Sequence, residues 1–321
     1  MKVLVTGGTG YLGRAVVRAL AARGHELVIF ARTAGRSGLP GTPIDGDVRD
    51  REALERAAAG CDAVSHSAAL VSIWRRRRAD FDDVNVGGLR NVLAAARALR
   101  IPRVLYTSSF VALPPRGHTA PIEANDYQRT KVAADRLAQE AVLDGAPVIR
   151  VYPGVVYGPG AFTEGNLVGR LIADHLKHKL PGLVGPEQPW SYAYVDDVAA
   201  GHCAALERGA PGGRYALGGE NVAQRDVFEL VRQLTGRRPP PRIPFPIAMM
   251  IGAAEELRVS MFGGTPLLTR GAVEIFRHDW SLDSGEAVRD LGYTITPLAD
   301  GIARTVASIR GTAPSPRHAN S

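Results

Sequence analysis

A glycine-rich segment near the start of the chain constrains the fold more than any other feature. Residues 6–13 read Thr-Gly-Gly-Thr-Gly-Tyr-Leu-Gly, directly after a short apolar run and directly before a helical pattern. Residues without a Cβ permit a tight turn and a close backbone approach to phosphate, and the helix that follows presents free N–H groups. This context predicts a dinucleotide site. The residues expected to contact the cofactor here are Gly7, Thr9, Gly10, Tyr11, Leu12 and Gly13.

Apolar strands alternate with helical patterns over the first half of the chain. Repeated alternation of this kind gives a parallel sheet with right-handed crossovers, so we predict an α/β fold with a Rossmann-type doubly wound parallel sheet. After the first strand, strand-like runs fall at 26–30, 63–64, 103–106 and 148–151, and helical patterns at about 13–23, 50–59, 84–99 and 127–143.

The second half of the chain differs in composition and pattern, because Gly and Pro become frequent after Gly158 and the strand-like runs shorten. We therefore expect residues 1–157 to form the NAD(P)-binding domain, with the segment of about 190–222 returning to it. A smaller C-terminal substrate-binding lobe is expected from residues 158–189 and 223–310.

Two further segments carry local predictions. Prolines at 239–241, 244 and 246 indicate a stiff connector rather than a helix. The tail 311–321 has no apolar periodicity and is predicted to be disordered.

The charge balance does not indicate a nucleic-acid partner. The chain carries 39 Lys plus Arg against 32 Asp plus Glu, a formal net charge of +7, but the acidic residues are interspersed throughout. A nucleic-acid-binding protein gathers its cations into one stripe. The one run, Arg75 to Arg78, is predicted to be a solvated loop or helix start. Since only Lys2, Lys131, Lys177 and Lys179 are lysines among 39 cations, each lysine needs a chemical explanation.

Cysteine content and apolar runs bear on the location of the protein. Cys61 and Cys203 are far apart in Ala-rich surroundings, which argues against a disulfide scaffold or a metal site and favours buried, reduced thiols. The chain enters a strand at once, leaving no room for a signal peptide. Its longest apolar stretch, 243–254, is about half of a membrane span. We expect a soluble, cytoplasmic protein without a membrane span.

The end of the second strand bears on the choice of cofactor. NAD-binding folds usually place Asp or Glu there, on the adenosine ribose, whereas this chain has Arg32 with Arg36 close behind. A guanidinium can pair with a 2′-phosphate, so NADP(H) is favoured. The alternative is that Arg32 only stacks on adenine in an enzyme that uses NAD. Asp47 and Val48, after the third strand, are placed to contact the adenine edge.

Tyr127 and Lys131 form the candidate catalytic pair. Their four-residue spacing puts a phenol and an ammonium on one face of a helix. A cation beside a phenol is expected to lower the phenol pKa toward neutrality, where it can act as a general acid or base. A hydroxyl of Ser108 or Ser109, at the carboxyl end of a strand, can hydrogen-bond a substrate carbonyl as charge develops on its oxygen.

Eight short segments, taken together, point to one family. They are residues 6–13, 46–48 (Gly-Asp-Val), 66–69 (His-Ser-Ala-Ala), 85–91 (Asn-Val-Gly-Gly-Leu-Arg-Asn), 106–109 (Tyr-Thr-Ser-Ser), 127–131 (Tyr-Gln-Arg-Thr-Lys), 152–160 (Tyr-Pro-Gly-Val-Val-Tyr-Gly-Pro-Gly) and 194–198 (Tyr-Val-Asp-Asp-Val). With them the chain resembles the extended short-chain dehydrogenase/reductase family from residue 1 to about 310.

The resemblance implies roles for individual residues. Tyr127 would be the acid and base, Lys131 would bind the nicotinamide ribose, and Ser109 would orient the substrate oxygen. A homodimer through the helix that carries Tyr127 is also implied. Asn85 is expected to tie two loops together, with a proton-relay role as the alternative, and His66 is expected to line the cofactor through its backbone rather than act in catalysis. The remaining expected cofactor contacts are Ser67, Ala68, Ala69, Thr107, Pro153, Gly154, Val155 and Val156.

Two branches of the family compete. One contains alcohol dehydrogenases and carbonyl reductases, resembling dihydroflavonol reductases and plant farnesol dehydrogenases. The other contains nucleotide-sugar epimerases and dehydratases, which commonly carry an Arg five positions before the Val-Asp-Asp segment. Trp190 stands at that position here. An aromatic ring cannot pair with a diphosphate, but it can pack on an apolar or aromatic substrate.

We therefore predict an NAD(P)-dependent oxidoreductase acting on the alcohol, ketone or aldehyde of an apolar or aromatic small molecule. The nucleotide-sugar epimerase or dehydratase is the alternative, and a cofactor-sensing regulator is disfavoured because Tyr127 and Lys131 are both present. Only 18 positions separate Ser109 from Tyr127, fewer than in the flavonoid or farnesol enzymes, so their substrates cannot be transferred. Some farnesol enzymes use NAD despite an Arg at this place, which keeps NAD possible. The expected substrate pocket consists of Val71, Trp74, Phe110, Tyr157 and Trp190.

Overall fold

Seven parallel strands form the central sheet within residues 1–311, the part of the chain that this computed structural model describes. The strands of the chain are β1 (Lys2–Thr6), β2 (Glu26–Ala31), β3 (Thr42–Asp45), β4 (Ala63–His66), β5 (Val104–Thr107), β6 (Val148–Pro153), β7 (Val155–Tyr157), β8 (Leu183–Val184), β9 (Pro189–Tyr194), β10 (Arg214–Leu217), β11 (Glu220–Ala223) and β12 (Arg242–Ile243). The order across the central sheet is β10-β6-β5-β4-β1-β2-β3, which confirms the predicted doubly wound fold.

Helices cover both faces of this sheet, and alternate residues of each strand serve opposite faces. In β1, Val3 and Val5 belong to the core on one face, whereas Leu4 belongs to the core on the other. The helices are α1 (Tyr11–Ala22), α2 (Arg51–Ala58), α3 (Ala79–Phe81), α4 (Gly88–Ala98), α5 (Asp126–Leu143), α6 (Leu167–Leu176), α7 (Val195–Arg208), α8 (Gln224–Thr235), α9 (Phe245–Phe262), α10 (Arg270–Ile275), α11 (Gly285–Leu291) and α12 (Leu298–Arg310).

Much of the chain after residue 158 packs beside the carboxyl ends of the strands. There β9 pairs antiparallel with β11 and parallel with β7, and β12 pairs with β8. Trp190 and Trp280 form a bridge and share a buried core with α6, α8 and α12. Meanwhile β10 and α7 return to the central sheet. The division into two lobes stays a prediction.

Two local predictions differ from the structure. Pro244 and Pro246 do not keep this segment out of a helix, because α9 begins at Phe245 and holds Pro246 in its first turn, where an N–H needs no partner within the helix. The helix predicted to start near residue 84 starts at Ala79 instead and continues through a π-helical turn at Asp82–Gly87. Arg129 of α5 holds this turn with a bidentate pair to Asp82.

Other predictions concern burial and the membrane. Cys61 and Cys203 are buried and unpaired with each other, as predicted. Within residues 1–311, no helix is long and apolar enough to cross a membrane. The cytoplasmic location and the homodimer stay predictions. Of the tail predicted to be disordered, residues 312–321 lie outside the described residues.

Candidate active site

A cavity of about 1020 Å³ lies at the carboxyl ends of the parallel strands. Segments that follow successive strands of the sheet meet on its wall, as expected for an open parallel sheet. Apart from His66, all the residues predicted to contact a cofactor are on this wall, together with Ser109. They are Gly7, Thr9, Gly10, Tyr11, Leu12, Gly13, Arg32, Asp47, Val48, Ser67, Ala68, Ala69, Thr107, Tyr127, Lys131, Pro153, Gly154, Val155 and Val156.

The glycine turn leaves room for phosphate. A Cβ on Gly13 would overlap the carbonyl of Gly7, and Gly7 itself has a φ of +75° and lies against the backbone of Ala68. These two glycines therefore serve packing. A Cβ on Gly10 would instead meet only the Gly7 oxygen, at 3.3 Å, among the described residues. Within residues 1–311, no side chain caps α1, so its first N–H groups are available to an anion. The turn thus fits the phosphates of a dinucleotide.

The ends of β2 and β3 carry carboxylates that are already bonded and a guanidinium that is not. Both Asp47 oxygens accept hydrogen bonds from Arg49, at 3.0 and 2.7 Å, and these bonds lower the pKa of Asp47. Asp45 accepts from the Gly35 N–H at 2.9 Å. Arg32 is exposed and has no hydrogen bond or salt bridge to the described part of the chain. Its guanidinium is available to a bound anion.

Tyr127 occupies the first turn of α5, which Asn125 caps by accepting the Gln128 N–H at 2.9 Å. The phenol lines the cavity beside Ser109. Burial raises the pKa of Tyr127, and hydrogen bonding with the Ser109 side chain acts in the opposite direction. The pKa shift of Tyr127 in this structure is therefore upward, opposite in direction to the predicted lowering.

Lys131 explains why the phenol is not shifted downward. Its Nζ donates to the Thr107 carbonyl at 2.9 Å and lies 5.4 Å from the centre of the Tyr106 ring, so the ammonium is directed to the end of β5. Burial lowers the pKa of Lys131 to about 8, while the nearby Asp135 carboxylate opposes that shift. The ammonium nevertheless lines the cavity together with Tyr127.

The end of β5, to which Lys131 donates, is also held by buried polar contacts that were not predicted. Nε2 of His202 lies 3.0 Å from the Thr107 hydroxyl, and Nδ1 lies 2.7 Å from the Val198 carbonyl. Burial lowers the pKa of His202 to about 4, so the ring is neutral and Nδ1 donates to the carbonyl while Nε2 accepts from Thr107. The sequence contains no local signal for this bond, because its partners are 95 residues apart.

Asn85 makes contacts that fit its expected role, whereas His66 does not line the cavity, so its expected backbone contact with a cofactor stays a prediction. Asn85 accepts the Leu70 N–H at 2.7 Å and donates to the Thr130 hydroxyl at 2.9 Å, so it ties the cavity wall to α5. His66 is buried, and its Nδ1 lies 2.6 Å from the Thr6 hydroxyl. Burial lowers the pKa of His66 to about 3, which leaves the ring neutral.

The predicted substrate pocket is only partly assembled. Val71, Phe110 and Trp190 line the cavity, and Trp190 stacks on Phe276 with ring centres 4.9 Å apart. Trp74 lies off the wall, because a turn closed by the Ser72 hydroxyl puts its neighbours there instead. Tyr157 is also off the wall, since its ring is fully buried against Tyr194 in the core. Trp74 and Tyr157 therefore do not line the cavity, contrary to the predicted substrate pocket.

Sequence reasoning missed a cation on the cavity wall. Arg170 lies on α6, three residues after Leu167, and both residues line the cavity. The Arg170 side chain is partly buried, and it has no hydrogen bond or salt bridge to any residue in the range 1–311. Its helical spacing from Leu167, in a segment assigned to the substrate lobe, was the available signal.

Comparisons with known proteins agree with this geometry. The profile of the "NAD dependent epimerase/dehydratase family" matches residues 3–218. The chain belongs to this family.

Among its relatives, "Sterol demethylase protein B" of Methylococcus capsulatus is 33% identical and covers 97% of this chain and 98% of its own. "2-alkyl-3-oxoalkanoate reductase" of Stenotrophomonas maltophilia is 34% identical, with 96% and 99% covered. The solved UDP-glucose 4-epimerase of Thermus thermophilus, in complex with NAD, superposes with a TM-score of 0.72 at 25% identity, covering 98% of this chain and 100% of that one. The family members thus include both reductases and epimerases.

The two kinds of glycine in the turn should respond differently to substitution. We expect Gly10→Ala to keep the thermal stability of the protein without cofactor, because its backbone is extended at φ −73° and ψ 174°, but to raise the dinucleotide Kd about tenfold or more. Gly13→Ala should lower stability by about 1–3 kcal/mol through overpacking against Gly7. Thermal unfolding and calorimetric titration measure the two effects. Wild-type affinity in Gly10→Ala would contradict the assignment of the phosphates to this turn.

Proposed function

We propose that the protein is an NAD(P)-dependent oxidoreductase that interconverts an alcohol and a carbonyl in an apolar or aromatic small molecule. The observation that carries the proposal is one cavity that holds both Tyr127 with Ser109 and an aromatic wall of Phe110, Trp190 and Phe276. Reductases among the relatives support it.

The residues of this chain would supply proton transfer and orientation. A phenol whose pKa is raised stays protonated at neutral pH, so Tyr127 is suited to donate its proton to a carbonyl oxygen during reduction. Ser109 would hold that oxygen by a hydrogen bond. Lys131 would bind the ribose beside Thr107. When bound, a nicotinamide dinucleotide supplies or accepts the hydride.

The cofactor proposed is NADP(H), with NAD as the alternative. Its support is the unbonded Arg32 guanidinium at the adenine end, where Asp47 is engaged by Arg49. A 2′-phosphate placed there would meet the Arg32 guanidinium, and the nearby Asp47 carboxylate would be neutralised by Arg49. The solved epimerase named above binds NAD, which is the reason to keep NAD as the alternative.

The second candidate function, nucleotide-sugar epimerisation or dehydration, has weaker support. A diphosphate needs several cations. Trp190, stacked on Phe276, occupies the position at which epimerases and dehydratases commonly carry an Arg. Arg170 supplies one partly buried positive charge to the cavity, whereas Arg75, another cation of the wall without a salt bridge within residues 1–311, is exposed. One guanidinium suits one carboxylate, and the relative named 2-alkyl-3-oxoalkanoate reductase is a reductase of an oxo acid. The proposed substrate class therefore includes apolar oxo acids.

Tyr127→Phe tests the catalytic assignment. We expect kcat to fall about 100-fold to 10,000-fold while the cofactor Kd stays the same, because only the proton donor is lost. Lys131→Met should impair both turnover and cofactor binding. It should also raise Tm at pH 7 by about 2 °C, since a buried ammonium destabilises the fold. This gain should shrink as the pH rises above about 8, where the native lysine loses its proton. A fully active Tyr127→Phe enzyme would remove the assignment.

Arg32→Gln tests the cofactor. The substitution should lower kcat/KM with NADP(H) by about 10-fold to 100-fold, because a hydrogen-bonded charge pair is lost, and should leave kcat/KM with NAD(H) nearly unchanged. Arg36→Gln, in the next turn, is the matched control and should have a small effect. A wild-type preference of about tenfold for NAD would overturn the choice of NADP.

Arg170→Gln tests the oxo-acid class. With an apolar oxo acid and its methyl ester as a matched substrate pair, we expect KM for the acid to rise about tenfold with kcat retained, and KM for the ester to stay unchanged. Arg75→Gln, an exposed cation at the same cavity, is the control. Equal effects on acid and ester would contradict a carboxylate contact. Thermal stabilisation by UDP-glucose, with no turnover of either carbonyl, would favour the epimerase.

A further inference from the structure

A buried carboxylate lies one helical turn after Lys131. Asp135 follows Lys131 by four residues on α5, so the two side chains are on the same side of that helix, and both residues are buried. This side faces the central sheet, because Lys131 donates to the Thr107 carbonyl of β5 and Asp135 accepts from the Tyr152 hydroxyl of β6 at 3.2 Å. Both charges therefore lie in the layer between α5 and these two strands.

A second buried cation shares Asp135. Arg150 of β6 is 4% exposed, and its Nη1 lies 3.9 Å from the Oδ2 of Asp135. The Oδ1 of Asp135 and the Nε of Arg150 are buried and have no hydrogen-bond partner within residues 1–311. An unpartnered carboxylate oxygen is costly to bury, so hydrogen bonding alone does not explain an Asp at this position.

The register of the sheet places Arg150 near Lys131 as well. Tyr106 of β5 is paired with Arg150 of β6, so these two side chains are neighbours on one face of the sheet. The Nζ of Lys131 lies 5.4 Å from the centre of the Tyr106 ring on that face. Two buried cations are thus held by one carboxylate within this group.

Most other titratable side chains around Lys131 and Thr107 are uncharged at neutral pH. Burial raises the pKa of the two phenols and lowers the pKa of the two imidazoles to about 3 and about 4. The four residues are Tyr106 and Tyr127, then His66 and His202.

The remaining charges near this group lie at its edges. Arg214 of β10 is exposed, with its guanidinium carbon 5.5 Å from the centre of the Tyr152 ring. Asp82, in the π-helical turn packed on α5, is already paired with Arg129. Asp135 is the acid whose charge opposes the effect of burial on Lys131.

Of the two buried cations, lysine is the one that can respond to a loss of negative charge. A guanidinium keeps its proton in proteins, whereas a buried ammonium can release one. Burial already lowers the pKa of Lys131 to about 8, close to neutrality. Without Asp135, Lys131 would lose its counter-charge beside Arg150 and would become neutral.

We propose that Asp135 is a positioning residue that keeps Lys131 charged at neutral pH, as the shared counter-charge of Lys131 and Arg150. Asp135 acts through Lys131, since it does not itself line the cavity. Under the proposed function, the charged lysine binds the ribose, so Asp135 would set the upper pH limit of cofactor binding. That consequence rests on the proposed function, whereas the charge of Lys131 does not.

An NMR titration of the lysine side chains tests the inference, because the full chain contains only four lysines. With carbon-13 in the lysines, the chemical shift of each Cε reports whether its Nζ is protonated, and Lys131→Met identifies the Lys131 signal. Without cofactor, we expect Lys131 of the wild type to lose its proton near pH 8, and that of Asp135→Asn at a pH lower by about one unit or more. The internal controls, which should titrate as in the wild type, are Lys2, Lys177 and Lys179.

Three further variants separate the charge of Asp135 from its packing. Asp135→Glu keeps the charge and should keep the titration of Lys131 near that of the wild type. Tyr152→Phe is the matched control, because it removes the hydrogen bond to Asp135 without removing the charge, and it should leave the titration nearly unchanged. Arg150→Met removes the competing cation and should move the titration upward. A merely structural role would not produce shifts in opposite directions.

The inference is overturned if Lys131 titrates in Asp135→Asn as it does in the wild type. It is also overturned if Tyr152→Phe lowers the titration as much as Asp135→Asn does. Thermal unfolding reports whether each variant is folded. If Asp135→Asn does not fold, Arg150→Met decides, since an upward shift supports the inference and an unchanged titration overturns it.

Calorimetric titration with NADPH and with NADH tests the consequence for cofactor binding separately. We expect the Kd of the wild type to rise above about pH 8, and the Kd of Asp135→Asn to rise at a lower pH. A shifted lysine titration combined with a Kd that does not depend on pH would contradict the proposed role of Lys131 toward the cofactor. The same result would still support Asp135 as the group that keeps Lys131 charged.

Discussion

Parallel pairing of the strands determines where every functional segment of this chain must lie. Because all seven strands of the central sheet run parallel, their carboxyl ends lie at one edge of that sheet. The glycine turn follows β1, Arg32 follows β2, Asp47 follows β3 and Thr107 ends β5. Residues that are distant in the sequence are therefore neighbours on one cavity wall, and the cavity is a consequence of the hydrogen-bonding pattern.

The buried ammonium of Lys131 is an unfavourable element of this arrangement. Burial opposes its charge, as the lowered pKa shows, and the compensation comes from the Thr107 carbonyl at 2.9 Å and from Asp135. The Thr107 residue is held in turn by His202 of α7. A hydrophobic residue at position 131 would suit the core better. The retention of a lysine there, in a chain that otherwise uses arginine, is best explained by chemistry at the cavity.

The parts of the site that sequence patterns predict are those set by local geometry. The spacing of Gly7, Gly10 and Gly13 reflects one turn, and the order of strands and helices follows from apolar runs. Tertiary contacts decide the rest. The sequence does not distinguish an aromatic side chain that faces a ligand from one that faces a core. Tyr157 is buried because it packs against Tyr194, which lies on a strand later in the chain. The pKa of Tyr127 likewise depends on tertiary contacts, because burial raises it and hydrogen bonding with the Ser109 side chain opposes that rise.

The division between the sheet edge and the elements packed on it accounts for a family that contains both reductases and epimerases. The glycine turn, Tyr127 and Lys131 lie at the sheet edge, where we propose that this chain holds a dinucleotide and moves a proton. Trp190, Phe276 and Arg170 come from elements after residue 158, which pack on that edge without altering the strands. Under the proposed function, changes in those elements can alter the polarity of the substrate end while the proposed proton donor and cofactor site are kept. In this chain the cavity is aromatic at Trp190 and Phe276 and carries Arg170 and Arg75, which form no salt bridge within the described residues, so under the proposed function substrate choice depends on contacts that the strands do not fix.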